Sequence, residues 1–375
     1  MTSSFRTPAK KSVLIRLFWG FFLLFLLLHP KQTSQAVVLG LTICATRLIP
    51  SLFPLMVFSV FASHSGVCTA FGQFLCRLTK DRMNLGNAGW GAFLLGTVAG
   101  FPLGALTVFE LQKRGELSEQ QARRLCGICN NTGPAFLIAY VGEGLLGDAR
   151  IGWMLFACQL LAAFTILLFT HPRPRQKNDS SFHTSTVSHV QNSARNTDVN
   201  ISACLSDAVK TAASNLVGVC GFVVFFSVFL SSLYTLFQPL FTMAPKLFVL
   251  CCGFFELTRG VTIAAELSTP PLTALFCAAF CGWAGLCVHM QVMSFRTNTF
   301  SFGHYLLQKM ISGVLTACYY LLFAMALPAF FRHLDVFSKI FVSPITVFIP
   351  VVLTGIFLLL FPHKGRTRFK SERDV

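Results

Sequence analysis

The chain has 375 residues, of which 54% are hydrophobic and only 12% charged, with a formal net charge of +16. A soluble domain carries about 25% charged residues, and several apolar runs here exceed the ~18 residues that read as a spanning helix. These features exclude an ordinary soluble protein and predict an all-α polytopic membrane protein. The positive charge does not mark a nucleic-acid binder. Arg6, Lys10, Lys11 and Arg16 precede the first apolar run, and Arg173, Arg175 and Lys177 follow another. Lys364, Arg366, Arg368 and Lys370 close the chain. Basic residues flanking apolar spans are what the positive-inside rule predicts for cytoplasmic ends.

Residues 13–28 read as a retained first span, since only His29-Pro30-Lys31 follows and no small-x-small cleavage site. Residues 36–62 form a second, interrupted by Arg47, Pro50 and Pro54, and a half-polar segment at 67–79 leads to Lys80, Asp81 and Arg82. Residues 88–110 carry a break at Gly100-Phe101-Pro102-Leu103-Gly104. A helix interrupted there frees backbone groups that lipid cannot satisfy. Such a break survives only where it faces protein or a polar cavity. If 88–110 crossed the membrane, Lys113, Arg114, Arg123 and Arg124 would lie opposite Lys80 and Arg82. A re-entrant hairpin puts all six on the cytoplasmic face, which charge bias favours. Ser118 and Gln121 have capping-box spacing and predict a helix start.

Cys129-Asn130-Asn131-Thr132-Gly133-Pro134 opens the next run, 132–147, which is followed by 150–170. Three consecutive hydrogen-bonding side chains at a helix start can hold an anion with the terminal N–H groups; an ordinary helix cap is the alternative. Residues 171–200 are polar and predict a cytoplasmic linker. The second half opens with an interfacial helix at 201–209 and a span at 214–237. Residues 245–267 are apolar apart from Glu256, Arg259 and Glu266, and 271–293 contain Gly282, Gly285, His289 and Gln291. Spans at 304–330 and 344–361 finish the chain.

This organisation amounts to about eight full spans and two re-entrant helical hairpins, with both termini and the linker cytoplasmic. The hairpins then enter from opposite sides, which makes an inverted repeat of the kind common in secondary transporters. The units are 1–35 (basic N-terminus and first span), 36–170 and 201–330 (the two repeats), 171–200 (linker) and 331–375 (last span and basic tail). A weak internal match supports the repeat. One shift lays Gly104 on Gly260 and Glu110 on Glu266, and another lays Cys129 on Cys281 and Gly133 on Gly285.

Intramembrane ions are costly and by default functional. Glu256 and Arg259 are three apart and could pair on one helix face. Alternatively Arg259 meets a substrate carboxylate while Glu256 and Thr258 orient it. Gly282 and Gly285 suit close helix packing, whereas His289 and Gln291 within an apolar run suggest a polar cavity. Most of the 14 Cys lie in apolar runs as small hydrophobes. Cys126-x-x-Cys129 lacks a second pair or a nearby His. No Ser/His/Asp set, metal cluster or phosphate loop appears, so no enzyme, cofactor or metal is expected.

Gly100-Phe101-Pro102-Leu103-Gly104-Ala105, Gly115-Glu116-Leu117-Ser118 and Cys129 to Phe136 resemble the YlbJ/SpoVV sporulation membrane protein family. That family belongs with the nucleoside-recognition (Gate) proteins, distant relatives of concentrative nucleoside transporters. Phe255 to Gly260 and Gly285 to Val292 are similar to its second Gate region, and the likeness runs over roughly residues 36 to 330. The resemblance implies a transporter exporting the small organic anion dipicolinate from the mother cell, sited in the outer forespore membrane. Nucleosides are the alternative solute, and a non-transporting sporulation scaffold is the alternative role. The expected solute contacts are Gly100, Phe101, Pro102, Gly104, Asn130, Asn131, Thr132 and Gly133 from the first half. The second half would add Glu256, Thr258, Arg259, Gly260, Trp283, His289 and Gln291, with Phe101 or Trp283 stacking on an aromatic ring. Beyond the lipid bilayer and the solute no partner is expected, with room left for a homo-oligomer.

Overall fold

The computed structural model describes residues 9–170 and 201–326, and every regular element among them is a helix. α1 (Ala9–Leu28) is followed by α2 (Pro30–Ile43), and a π-helical turn, Cys44–Leu48, carries α2 into α3 (Ile49–His64). Beyond Gly66, which has φ +78°, α4 (Val67–Thr79) departs from α3 at a bend of 78°. Next come α5 (Gly86–Ala99), α6 (Leu103–Lys113), α7 (Glu119–Cys129), a π-helix (Ala135–Leu145) and α8 (Ala149–Phe169). The second block holds α9 (Ile201–Leu236), α10 (Gln238–Met243), α11 (Pro245–Phe255) and α12 (Leu257–Leu267). It ends with α13 (Pro270–Trp283), α14 (Gly285–Phe295) and α15 (Phe302–Ala326).

Among the described residues, four helices are long and apolar enough to cross a membrane: α8, α9, α13 with α14, and α15. The bent pair α3–α4 raises the number to five. Of the other runs read as spans, 132–147 folds as an 11-residue π-helix and the apolar part of α1 is Arg16–Leu28. The run 344–361, the linker 171–200 and the basic tail lie outside the described residues. The interfacial helix at 201–209 and the span at 214–237 run together as one continuous 36-residue helix. At 1.5 Å per residue it is about 54 Å long, well beyond a hydrocarbon core of about 30 Å, and Asp207 and Lys210 are exposed in its N-terminal part.

The helices fold back at both expected breaks. α5 and α6 fold back at Gly100–Pro102, so closely that a Cβ on Gly96 would lie 3.0 Å from the Gly104 Cα. α11 and α12 fold back at Glu256, where a Cβ on Gly260 would lie 2.3 Å from the Gly253 Cα. Glycine at both crossings is what close backbone approach requires. The same order of parts therefore occurs twice, at 86–169 and 245–326: a hairpin, a helix broken partway, then an unbroken helix.

Side-chain caps fix the outer ends. The Asp81 carboxylate accepts from the Leu85 and Gly86 amides and from the Trp90 indole, which anchors the start of α5. The Ser118–Gln121 capping box is present in both directions. Arg124, read from sequence as one of six basic residues on one membrane face, is buried against neighbouring helices. Its guanidinium donates to the Met83 and Leu167 carbonyls, and the second of these lies at the end of α8, where a cation is favoured. Cys126 and Cys129 are buried in the first-half core as free thiols, in keeping with packing.

Candidate functional site

Each broken helix leans on the tip of the preceding hairpin. In the first half the tip glycine, Gly100, has φ +80° and lies against Gly133 in the stretch that separates α7 from the π-helix. In the second half Gly285, at φ +79°, lies against the tip residues Glu256 and Leu257. There α13 stops at Ala284, itself at φ +78°, a region an alanine occupies only at a cost of about 1–2 kcal/mol.

Breaking a helix inside a membrane frees carbonyls that need donors. Several of these donors can be named here. The Ile128 carbonyl accepts from the Asn131 side-chain amide, and the Cys129 carbonyl from the Asn131 backbone. The Asn130 carbonyl accepts from Lys309 Nζ at 2.8 Å, and the Thr132 carbonyl from Gln159 Nε2 at 2.9 Å. Across the halves, the Thr132 hydroxyl donates to the Cys281 carbonyl at 2.9 Å. At the second tip the Trp283 indole donates to the Phe254 carbonyl at 3.0 Å. The Cys129 carbonyl also fills the space beside Gly96 and Gly104, where a Cβ would come within 2.2 and 1.9 Å of it.

Both tips open onto one cavity of about 470 Å³. Gly100, Phe101 and Pro102 wall one side, and Glu256, Leu257 and Thr258 another. Thr132, Gly133, Phe136 and Tyr140 line it after the first break, and Gln291 reaches it from α14. Leu52 and Leu55 of α3 with Val219 and Val223 of α9 complete an apolar boundary. Among the described residues, the charged side chain in this wall is Glu256. Its carboxylate caps α12, accepting the Thr258 amide at 3.0 Å and the Arg259 amide at 2.6 Å. Glu256 thus meets the backbone of Arg259 in the contacts seen, and the helix N-terminus offsets its charge.

Of the fifteen residues singled out from the sequence, Gly100, Phe101, Pro102, Thr132, Gly133, Glu256, Thr258 and Gln291 face the cavity. The other seven surround it. Gly104 and Gly260 form the hairpin crossings. Asn131 caps α7, and the Asn130 side-chain amide donates to the Tyr305 hydroxyl at 2.8 Å. His289 Nδ1 lies 3.1 Å from the same hydroxyl, so Asn130, Tyr305 and His289 make a buried polar chain between the halves. Trp283 stacks on Phe254 and presents an edge to His289. Arg259 is half-buried and lies outside the cavity wall.

Sequence reasoning passed over four residues that matter here: Lys309, Tyr305, Gln159 and Tyr140. The Tyr140 hydroxyl lies 2.8 Å from Thr262 Oγ1 and ties the cavity wall of the first half to α12. Lys309 carried a legible signal, since it is a charge within the apolar run 304–330.

Among curated proteins, the sporulation integral membrane protein YlbJ of Bacillus subtilis (strain 168) is similar to this chain. The two are 24% identical over 335 residues, which cover 83% of this chain and 82% of that protein. No protein-family profile and no solved structure matches.

Proposed function

We propose that this chain, whose likeness to YlbJ supports its assignment to the YlbJ family, is a membrane carrier that holds a small organic solute between its two hairpin tips. The observation that carries this reading is a single cavity bounded by both breaks, Gly100–Pro102 and Glu256–Thr258. Broken helices that meet at a cavity are the usual construction of a midplane solute site. Support for an inverted repeat comes from matching contacts, Gly100 on Gly133 in one half and Glu256 on Gly285 in the other. Eight spans, cytoplasmic termini and a place in the outer forespore membrane of a bacterium belong to the same proposal.

Dipicolinate is the first solute to test. The relative's name ties it to sporulation, and a planar aromatic dicarboxylate suits a wall containing Phe101, Phe136 and Tyr140. A specific observation favours a second solute. Among the described residues the wall's charged group is the Glu256 carboxylate and Arg259 stands outside it, which suits the hydroxyls and amines of a nucleoside better than an anion. Proteoliposomes containing the full chain, given labelled dipicolinate or labelled nucleosides, separate the two. Uptake of either that is abolished by a bulky Thr258→Trp substitution supports the carrier. Absence of flux for both would leave the non-transporting scaffold as the better reading.

A further inference from the structure

Lys309 lies within α15 and is fully buried. Its ammonium donates to the Asn130 carbonyl at 2.8 Å, and no carboxylate of the described residues forms an ion pair with it. The titratable groups around it are the Cys126 and Cys281 thiols and the His289 imidazole. What holds this charge is the end of α7, where the Asn130 carbonyl faces the ammonium and the negative pole of the helix dipole lies. Unwound carbonyls at such half-helix ends are the ligands that broken-helix carriers offer to a small monovalent cation. The Asn130 side chain also carries a buried oxygen, Oδ1, with no hydrogen-bond partner among the described residues.

We propose that Lys309 is a tethered cation occupying a monovalent-cation site built from the backbone at the end of α7. The chain thereby supplies covalently the ion that the break would otherwise take from solution. Neutral carbonyl and amide oxygens without a carboxylate suit a single positive charge and would hold a divalent ion poorly.

The test reads stability rather than flux, so it is decided whether or not the chain moves a solute. Full-length wild type, Lys309→Ala and Lys309→Met are purified in detergent and unfolded thermally at equal ionic strength in choline, sodium, potassium or methylammonium chloride. Wild type should unfold at one temperature in all four salts. Lys309→Ala should lose roughly 5–10 °C in choline and recover at least half of that in methylammonium, sodium or potassium. Lys309→Met, whose thioether fills the vacated space, should lose stability and recover nothing. If Lys309→Ala does not survive extraction in choline, its yield after extraction in each of the other salts becomes the readout, and a restored yield supports the site. An unaltered Lys309→Ala, no recovery with any cation, equal recovery of the Met variant, or wild-type stability in Lys309→Met would each overturn the proposal.

Discussion

Gly100 and Gly133 approach so closely that a Cβ on Gly100 would fall 2.7 Å from the Gly133 amide nitrogen and 2.9 Å from its Cα. Both obstacles are backbone, so nothing flexible can give way. Gly100 also has φ +80°, where a side chain is strained regardless of space. Gly115 offers a control, since it has φ +76° with nothing near its would-be Cβ. Gly115→Ala should therefore show the conformational cost alone, about 1–2 kcal/mol. Gly100→Ala should lose clearly more, because the tip must move off the break. Thermal unfolding in detergent measures both, and equal losses would remove the tip contact from the account.

Thr132→Val keeps the shape of the side chain but removes the donor to the Cys281 carbonyl. That carbonyl would then be buried without its partner, at a cost of about 1–3 kcal/mol. Thr132→Ser, which retains the hydroxyl, should restore most of the loss. A Val variant as stable as wild type would show that the bond contributes nothing.

Glu256→Gln removes a charge from the cavity wall while leaving an oxygen to cap α12, so the fold should survive. Glu256→Ala removes both cap bonds and should lose about 0.5–2 kcal/mol. In binding measurements with dipicolinate, the Gln variant should bind more tightly than wild type, because an anion no longer faces a carboxylate. Weaker binding would mean that Glu256 contacts the solute as an acceptor.

Gly282 packs against α15, where an added Cβ would lie 2.7 Å from the Gly313 Cα and 2.7 Å from the Ser312 carbonyl. Gly282→Leu should force α13 and α15 apart and lose about 1–3 kcal/mol or more by overpacking. Gly218→Leu, on an α9 face with nothing within 4 Å, should be close to neutral in the same unfolding assay.

If Lys309 supplies the positive charge at the α7 break, solute uptake into proteoliposomes should be unchanged when sodium is replaced by choline. A strict sodium requirement in the wild type would place a free ion elsewhere on the route.

The breaks were legible because glycine, proline and intramembrane charge are local signals. Gly100–Gly104, Asn130–Pro134 and Glu256–Gly260 could each be located without a structure, as could the Ser118–Gln121 box. What satisfies the breaks was not legible. The donor to the Asn130 carbonyl lies 179 residues away, and the Thr132 hydroxyl reaches a carbonyl 149 residues away. Spacing does not reveal such pairs. Glu256 and Arg259 misled for the opposite reason. Their separation fits a side-chain pair, yet the same spacing places the Arg259 amide where a capping carboxylate takes it. Asn131, expected from its chemistry to hold an anion, donates its side-chain amide to its own helix end.

The hydrogen bond between Thr132 and Cys281 joins the interruption of one half to that of the other, and its acceptor is main chain. Any rocking of the halves must either turn about that point or sever it, so it has the position of a pivot. Its strength cannot be adjusted from the Cys281 side, because every residue placed there presents the same carbonyl. If the proposed carrier rocks, tuning would fall to position 132, where threonine, serine and valine would act as three settings of one hinge.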